Sequence, residues 1–230
     1  MKRILVMFIA LALAGEASAQ IPDVRIAQVF AGGGQFTGGF YKKDYVVLFN
    51  NSGDPVALGG YALVCGVSTG NWGSQSGYKY TLPVGTTIAP CSYLLIACGA
   101  SGSSGTDLPV TPDLVTGQMS MAPAAFKLGL FTTLTGNDNV PCGSEAPGTL
   151  VDKVSWGATA NCAEGSPAPA QTVSSGIDRL NGGTTDTNDN SADFVLVPNP
   201  VPMNSATPAW PCEPTGVDSR TWGAMKSLFR

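Results

Sequence analysis

The stretch Asp44-Tyr45-Val46-Val47-Leu48-Phe49-Asn50 runs through Asn51-Ser52-Gly53-Asp54-Pro55 into Val56-Ala57-Leu58-Gly59-Gly60-Tyr61-Ala62-Leu63-Val64. Aromatic and β-branched residues, a cluster of turn formers and a second apolar run read as strand, turn, strand. At a period of two, Tyr45, Val47 and Phe49 share one face while Val46 and Leu48 take the other. A strand apolar on both faces is covered on both sides, so it predicts the centre of a packed β domain.

Working outward, Val24 to Phe30 reads as an earlier strand, with Val24, Ile26 and Gln28 alternating against Arg25, Ala27 and Val29. Gly32-Gly33-Gly34 and Gly38-Gly39 form a loop between the two. They satisfy neither G-x-G-x-x-G nor the P-loop pattern. Residues 66–77 form a polar loop carrying Trp72. Further short strands follow at Tyr78–Leu82, Ser92–Ala97, Ala125–Phe131, Leu150–Trp156, Ile177–Leu180 and Phe194–Val197. Eight or nine short strands between Gly, Pro and Asn turns, with no internal helix, predict an all-β, antiparallel sandwich.

The ends differ in composition from the middle. Lys2 and Arg3, an apolar run from Ile4 to Ala14 and Ala17-Ser18-Ala19 form a secretory signal over 1–19 with cleavage near Ala19. That run is too short to span a bilayer. It implies export, to the periplasm or the exterior. The sandwich is expected over 20–200, then a Pro-rich linker over 201–217. An amphipathic tail over 218–230 carries Trp222, Met225 and Phe229 on one side. The tail reads either as a docking signal or as a segment folded back on the sandwich.

Formal net charge is −4, and removal of Lys2, Arg3 and Glu16 makes it more negative by one. An acidic chain without basic runs argues against nucleic-acid binding. With 0 histidines, Ser-His-Asp and Cys-His catalysis and histidine-ligated zinc are excluded. No G-x-S-x-G occurs. A carboxylate pair needs no histidine, so Asp44, Asp152, Glu164, Asp178 and Asp193 leave a metal-dependent hydrolase (nuclease, phosphatase or glycosidase) as the competing reading.

Two candidate sites stand out. In Thr185–Asp193, Asp186, Asn188, Asn190 and Asp193 supply alternating oxygens for a Ca²⁺ loop, though the EF-hand glycine and terminal glutamate are missing. The alternative is a turn whose side chains bond their own backbone. Ca²⁺ would make the chain a calcium-dependent carbohydrate module; no other cofactor is implied. Trp72, Tyr78 and Tyr80 are candidates for stacking on a glycan or filling a partner's pocket. Trp72 covering the end of the core is the structural alternative.

The order of blocks resembles the bacterial lamin-tail domain family. The matching residues are Val24–Phe30, Asp44–Gly53 with Val56–Tyr61, Leu82–Pro90 leading into Tyr93–Ile96, Phe126–Leu128 and Val151–Gly157. Val47 stands where the family frequently has glutamate, and the linker and tail lie outside the likeness. The resemblance implies an immunoglobulin-like sandwich without catalytic residues, found in secreted bacterial proteins, and hence a binding or tethering module with a protein or cell-surface glycan partner. All six cysteines follow the signal, so up to three disulfides are expected, and fifteen pairings are open. The resemblance suggests that Cys142 pairs with Cys162. Cys65 and Cys98, both at ends of apolar strands, are the first guess for a second pair.

Overall fold

The computed structural model of the chain describes residues 23–212. The expected signal over 1–19 and the tail with Trp222 and Phe229 lie outside the described residues. The strands are β1 (Val24–Phe30), β2 (Asp44–Asn50), β3 (Val56–Ala57), β4 (Ala62–Val67), β5 (Lys79–Thr81), β6 (Thr87–Ile88), β7 (Tyr93–Cys98), β8 (Leu114–Val115), β9 (Phe126–Phe131), β10 (Leu150–Trp156), β11 (Ser175–Arg179) and β12 (Phe194–Pro198). One helical turn, α1 (Asn190–Asp193), precedes β12. A six-stranded sheet in the order β12-β11-β1-β2-β7-β8 faces a four-stranded sheet β10-β9-β4-β5, and β3 pairs with β6. All these pairings are antiparallel except β7 with β8. The architecture is the expected antiparallel sandwich.

β2 sits between β1 and β7, and all seven of its residues are buried. Val46 and Leu48 enter the core between the sheets, with Val24, Ile26, Leu63, Ile96, Leu128, Leu130, Val154 and Trp156. Tyr45, Val47 and Phe49 enter a second apolar layer on the outer side of the large sheet, with Ala27, Phe30, Tyr41, Tyr93 and Leu95. Simple alternation fails in β1. There the register skips between Ile26 and Gln28, a one-residue bulge opposite Leu48 and Val47. Beyond it Val29 faces the core while Phe30 turns outward.

The chain itself covers that outer layer. Residues 201–212, expected as linker, lie across the domain as a strap. Tyr41 donates its hydroxyl to Pro200 O at 3.0 Å, Met203 N donates to Gln28 Oε1 at 3.1 Å, and Trp210 N donates to Cys91 O at 2.9 Å. Cys212 is bonded to Cys91, 121 residues earlier, which anchors the far end. Trp210 lies where a Cβ on Gly182 would be 2.2 Å from its ring, so only glycine permits the strap's path there. The outer face of the small sheet has a smaller apolar layer of Ala62, Val64, Trp72, Phe131 and Cys162.

The cysteine pairing corrects the Cys65–Cys98 guess. Both are free and buried: Cys65 lies in β4 of one sheet and Cys98 in β7 of the other, and the Cys98 thiol donates within its own strand to Ile96 O at 3.4 Å. The second disulfide joins Cys142 to Cys162 across 20 residues.

Candidate functional site

The carboxylates considered for chemistry are built into the fold. Arg179, on β11, has a fully buried side chain. Its Nη2 donates to Asp152 at 2.8 and 3.0 Å, its Nη1 to Thr185 O at 3.1 Å and to Asp193 at 3.4 Å, and its Nε to Ile26 O at 3.0 Å. Asp152 Oδ2 also accepts from Ile26 N at 2.6 Å. This network ties β10 of the small sheet to β1 and β11 of the large one.

The Ca²⁺ candidates are drawn into the same network rather than round a common point. Asp193 accepts from Thr187 N at 3.0 Å and Thr187 Oγ1 at 2.7 Å. Asn190 is buried and accepts from Ser155 N at 3.0 Å and Glu164 N at 3.2 Å. Asp186 pairs with Arg25 at 3.7 Å and Arg179 at 3.6 Å, and Asn188 is exposed with its N–H on Asp186. Where a cation would sit, the Arg179 guanidinium already serves Asp152, Asp186 and Asp193. Among the described residues, the one group of three Cys, Asp or Glu ligand atoms within 4.8 Å of one another is Cys142, Glu145 and Cys162, whose sulfurs are bonded to each other.

The aromatic candidates are also structural. Trp72 is fully buried, which corrects its reading as an exposed platform. It packs edge-on to Phe131 at 5.7 Å, and its Nε1 donates to Glu145 at 2.6 Å. Tyr78, half-buried, packs edge-on to Phe126 at 5.4 Å, and Tyr80 lies half-buried against the core.

Sequence reasoning missed a concavity at the edge of the large sheet. A groove of about 340 Å³ runs along the β8 edge of the large sheet, lined by Lys42, Lys43 and Asp107 at one side and by Leu108, Pro109, Val110, Pro112 and Val115 as an apolar wall. The wall is held in place by the strap: Asn204 Nδ2 donates to Thr111 O at 2.9 Å and Ser205 N to Asp113 Oδ2 at 3.0 Å, while Asp113 also accepts from Leu95 N at 2.7 Å. Val115 is 62% exposed, although it is a strand residue. Lys42 reaches Asp107 at 3.1 Å, but Asp107 is 84% exposed, and an ion pair in water contributes at most about 1 kcal/mol. Lys42 can therefore exchange that partner for another carboxylate at little cost. The one legible signal was the adjacent Lys42-Lys43 in a chain otherwise short of cations.

Burial holds four carboxyls above their ordinary range, one of them Asp152, which the Arg179 guanidinium pulls back down only in part. Burial pushes Asp44 up to about 7, although its two oxygens accept from Gly33 N and Met121 N at 2.8 Å. Glu164 is raised to about 7 by burial and then by Asp152 and Asp186, and Asp178 to about 6 by burial. Each binds its proton more tightly folded than unfolded. Their contribution to stability is therefore full below the unfolded carboxyl range and is lost as pH rises through 6 to 7. We expect Tm to be higher near pH 5 than near pH 8, by roughly 5 °C for a domain of this size. A flat or reversed profile in a thermal melt series would contradict this.

A buried-face sandwich with no histidine, its acidic side chains spent on structural contacts and one basic-apolar groove, defines an immunoglobulin-like β module. The lamin tail domain model matches residues 17–158, and the chain belongs to that family. No curated protein matches the sequence. Among solved structures, the crystal structure of a DUF4876 family protein from Bacteroides thetaiotaomicron VPI-5482 is similar. It is 13% identical, with a TM-score of 0.52, and the match covers 83% of this chain and 74% of that one. At that identity the likeness speaks to the fold. No helix among the described residues is long and apolar enough to cross a membrane. Two disulfides fit an oxidising compartment.

Proposed function

We propose that this chain is a secreted, non-catalytic binding module that tethers an extended, acidic segment of a partner protein through the groove at the β8 edge. The observation that carries the reading is charge complementarity on a preformed concavity. Lys42 and Lys43 stand beside an apolar wall of Leu108, Pro109, Val110, Pro112 and Val115 in a chain of net charge −4. An extended peptide can set apolar side chains against that wall and a carboxylate on Lys42. The expected signal over 1–19 supports export, after which the module acts at the cell surface or in an extracellular assembly. The Arg179 network, which engages Asp152 and Asp193, counts against the hydrolase reading.

The test is binding of the labelled chain from Gln20 to Arg230 to whole cells and isolated wall material of its source, with and without a chelator. Saturable binding that protease treatment of the cells abolishes, and that a chelator leaves unchanged, is the expected result. Binding that survives protease and is competed by wall glycans would replace the protein partner with a carbohydrate. Loss with chelator would return the Asp186–Asp193 loop to consideration.

A further inference from the structure

Outside the groove, one buried ammonium lies against a disulfide sulfur, and the nearby Glu145 carboxylate acts on it through space without a direct ion pair. Lys127, in β9, has a fully buried residue environment, and no salt bridge among the described residues reaches it. Its Nζ donates to Gly70 O, to Asn161 Oδ1 at 2.6 Å and toward Cys162 Sγ at 3.7 Å, and lies 5.1 Å from the centre of the Trp72 ring. Two donors thus have good oxygen acceptors. The third is aimed at a disulfide sulfur, a weak acceptor. A thiolate at the same place would be a stronger acceptor and would bring a negative charge into direct contact with the ammonium, closer than the Glu145 carboxylate stands.

The two sulfurs of that bond are unequal in access. Cys142 is exposed at the turn after Pro141, while Cys162 is 7% exposed and held in the left-handed region at φ 65°, uncommon for a non-glycine residue. Its neighbour Asn161 is fixed through its N–H to Ser68 O at 2.8 Å and through its carbonyl, which accepts from Ser155 Oγ at 2.7 Å. An attacking group from solvent meets Cys142; the leaving sulfur is the one beside the ammonium.

We infer that the Cys142–Cys162 bond is a thiol-exchange site, in which Cys142 takes an incoming thiolate and Lys127 holds the departing Cys162 sulfur as its ion-pair partner. The incoming thiol loses its proton to solvent, and its sulfur attacks Cys142 Sγ. The Cys142–Cys162 bond breaks, a mixed disulfide forms on Cys142, and Cys162 leaves with the electron pair as a thiolate. No net oxidation occurs. Return attack by Cys162 on Cys142 expels the thiol and closes the cycle. Lys127 is a positioning residue here, because exchange proceeds faster when the leaving thiol is the better stabilised anion.

The experiment treats the oxidised chain from Gln20 to Arg230 with reduced glutathione, quenches with acid and maps adducts by mass spectrometry. Glutathione is expected on Cys142, with the Cys91–Cys212 bond intact. Lys127→Met is expected to slow adduct formation roughly threefold near pH 7, the effect of about one unit in the leaving thiol's pKa at a Brønsted coefficient near one half, while Lys127→Arg retains the rate. Should Lys127→Met fail to fold, Cys142→Ser leaves Cys162 as a thiol whose ionisation is read by ultraviolet thiolate absorbance. Burial pushes Cys65 and Cys98 well up, so they stay silent in that titration. Cys162 is expected to ionise below the ordinary value of about 8.5. Adducts spread over both disulfides, no adduct at all, an unchanged rate in Lys127→Met, or a Cys162 midpoint at or above the ordinary value would each overturn the assignment.

Discussion

Replacing Arg179 with Met is expected to cost about 3–5 kcal/mol and to lower Tm by roughly 10 °C or more. The guanidinium is fully buried and satisfies Asp152, Asp193, Ile26 O and Thr185 O at once. Removing it leaves two buried carboxylates facing each other's field and two main-chain carbonyls, Ile26 O and Thr185 O, without this donor. Part of the loss should return at low pH, because burial already holds Asp152 above the ordinary carboxyl range and its protonation removes uncompensated charge. A melt series of Arg179→Met against the parent checks both statements. If the variant melts within 1–2 °C of the parent, roughly what a surface exchange costs, the network is not what joins the sheets there.

A comparable loss is expected for Val47→Glu. The family resemblance puts a glutamate frequently at this position, so the substitution looks conservative on that ground alone. In this chain Val47 is completely buried in the outer apolar layer, between β1 and β7 and among Tyr45, Phe49, Tyr93 and Leu95. A carboxylate there has no cation in the layer and must either stay charged without water or bind a proton. We expect roughly 4 kcal/mol of destabilisation near neutral pH, with partial recovery on acidification, measured by denaturant unfolding. A stable Val47→Glu would mean that the strap does not seal this face.

Those two residues also mark how far the sequence could be read. The double-sided burial of β2 follows from periodicity alone: Tyr45, Val47 and Phe49 lie in one layer, and Val46 and Leu48 in the other. What covers the outer layer does not follow, because a Pro-rich run signals stiffness rather than docking. The anchors are single side chains, Met203, Trp210 and Cys212, that carry no pattern. The β1 bulge escaped for a similar reason. A two-residue period assumes unbroken pairing, and the extra residue between Ile26 and Gln28 exists only relative to β2. In the Asp186–Asp193 segment, alternating oxygens were legible, but the destination of each carboxylate depended on Arg179 and Arg25, which arrive from other strands. Likewise Trp72 reads as a loop aromatic until Phe131 and Glu145 are placed around it. Of the groove only the adjacent Lys42-Lys43 was legible, since its lysines and its proline wall come from separate loops brought together at the sheet edge.

The most direct measurement of the tethering account is a binding isotherm on protease-sensitive wall or cell material, comparing the parent chain with Lys42→Glu/Val115→Asp. Both substitutions lie in the groove and outside the core, and unchanged melting would establish that the double variant is folded. The account predicts saturable binding by the parent and at least a tenfold weaker isotherm for the variant, about 1.4 kcal/mol, from repulsion of the acidic segment and loss of the apolar contact. Equal binding by parent and folded variant would contradict the groove as the site.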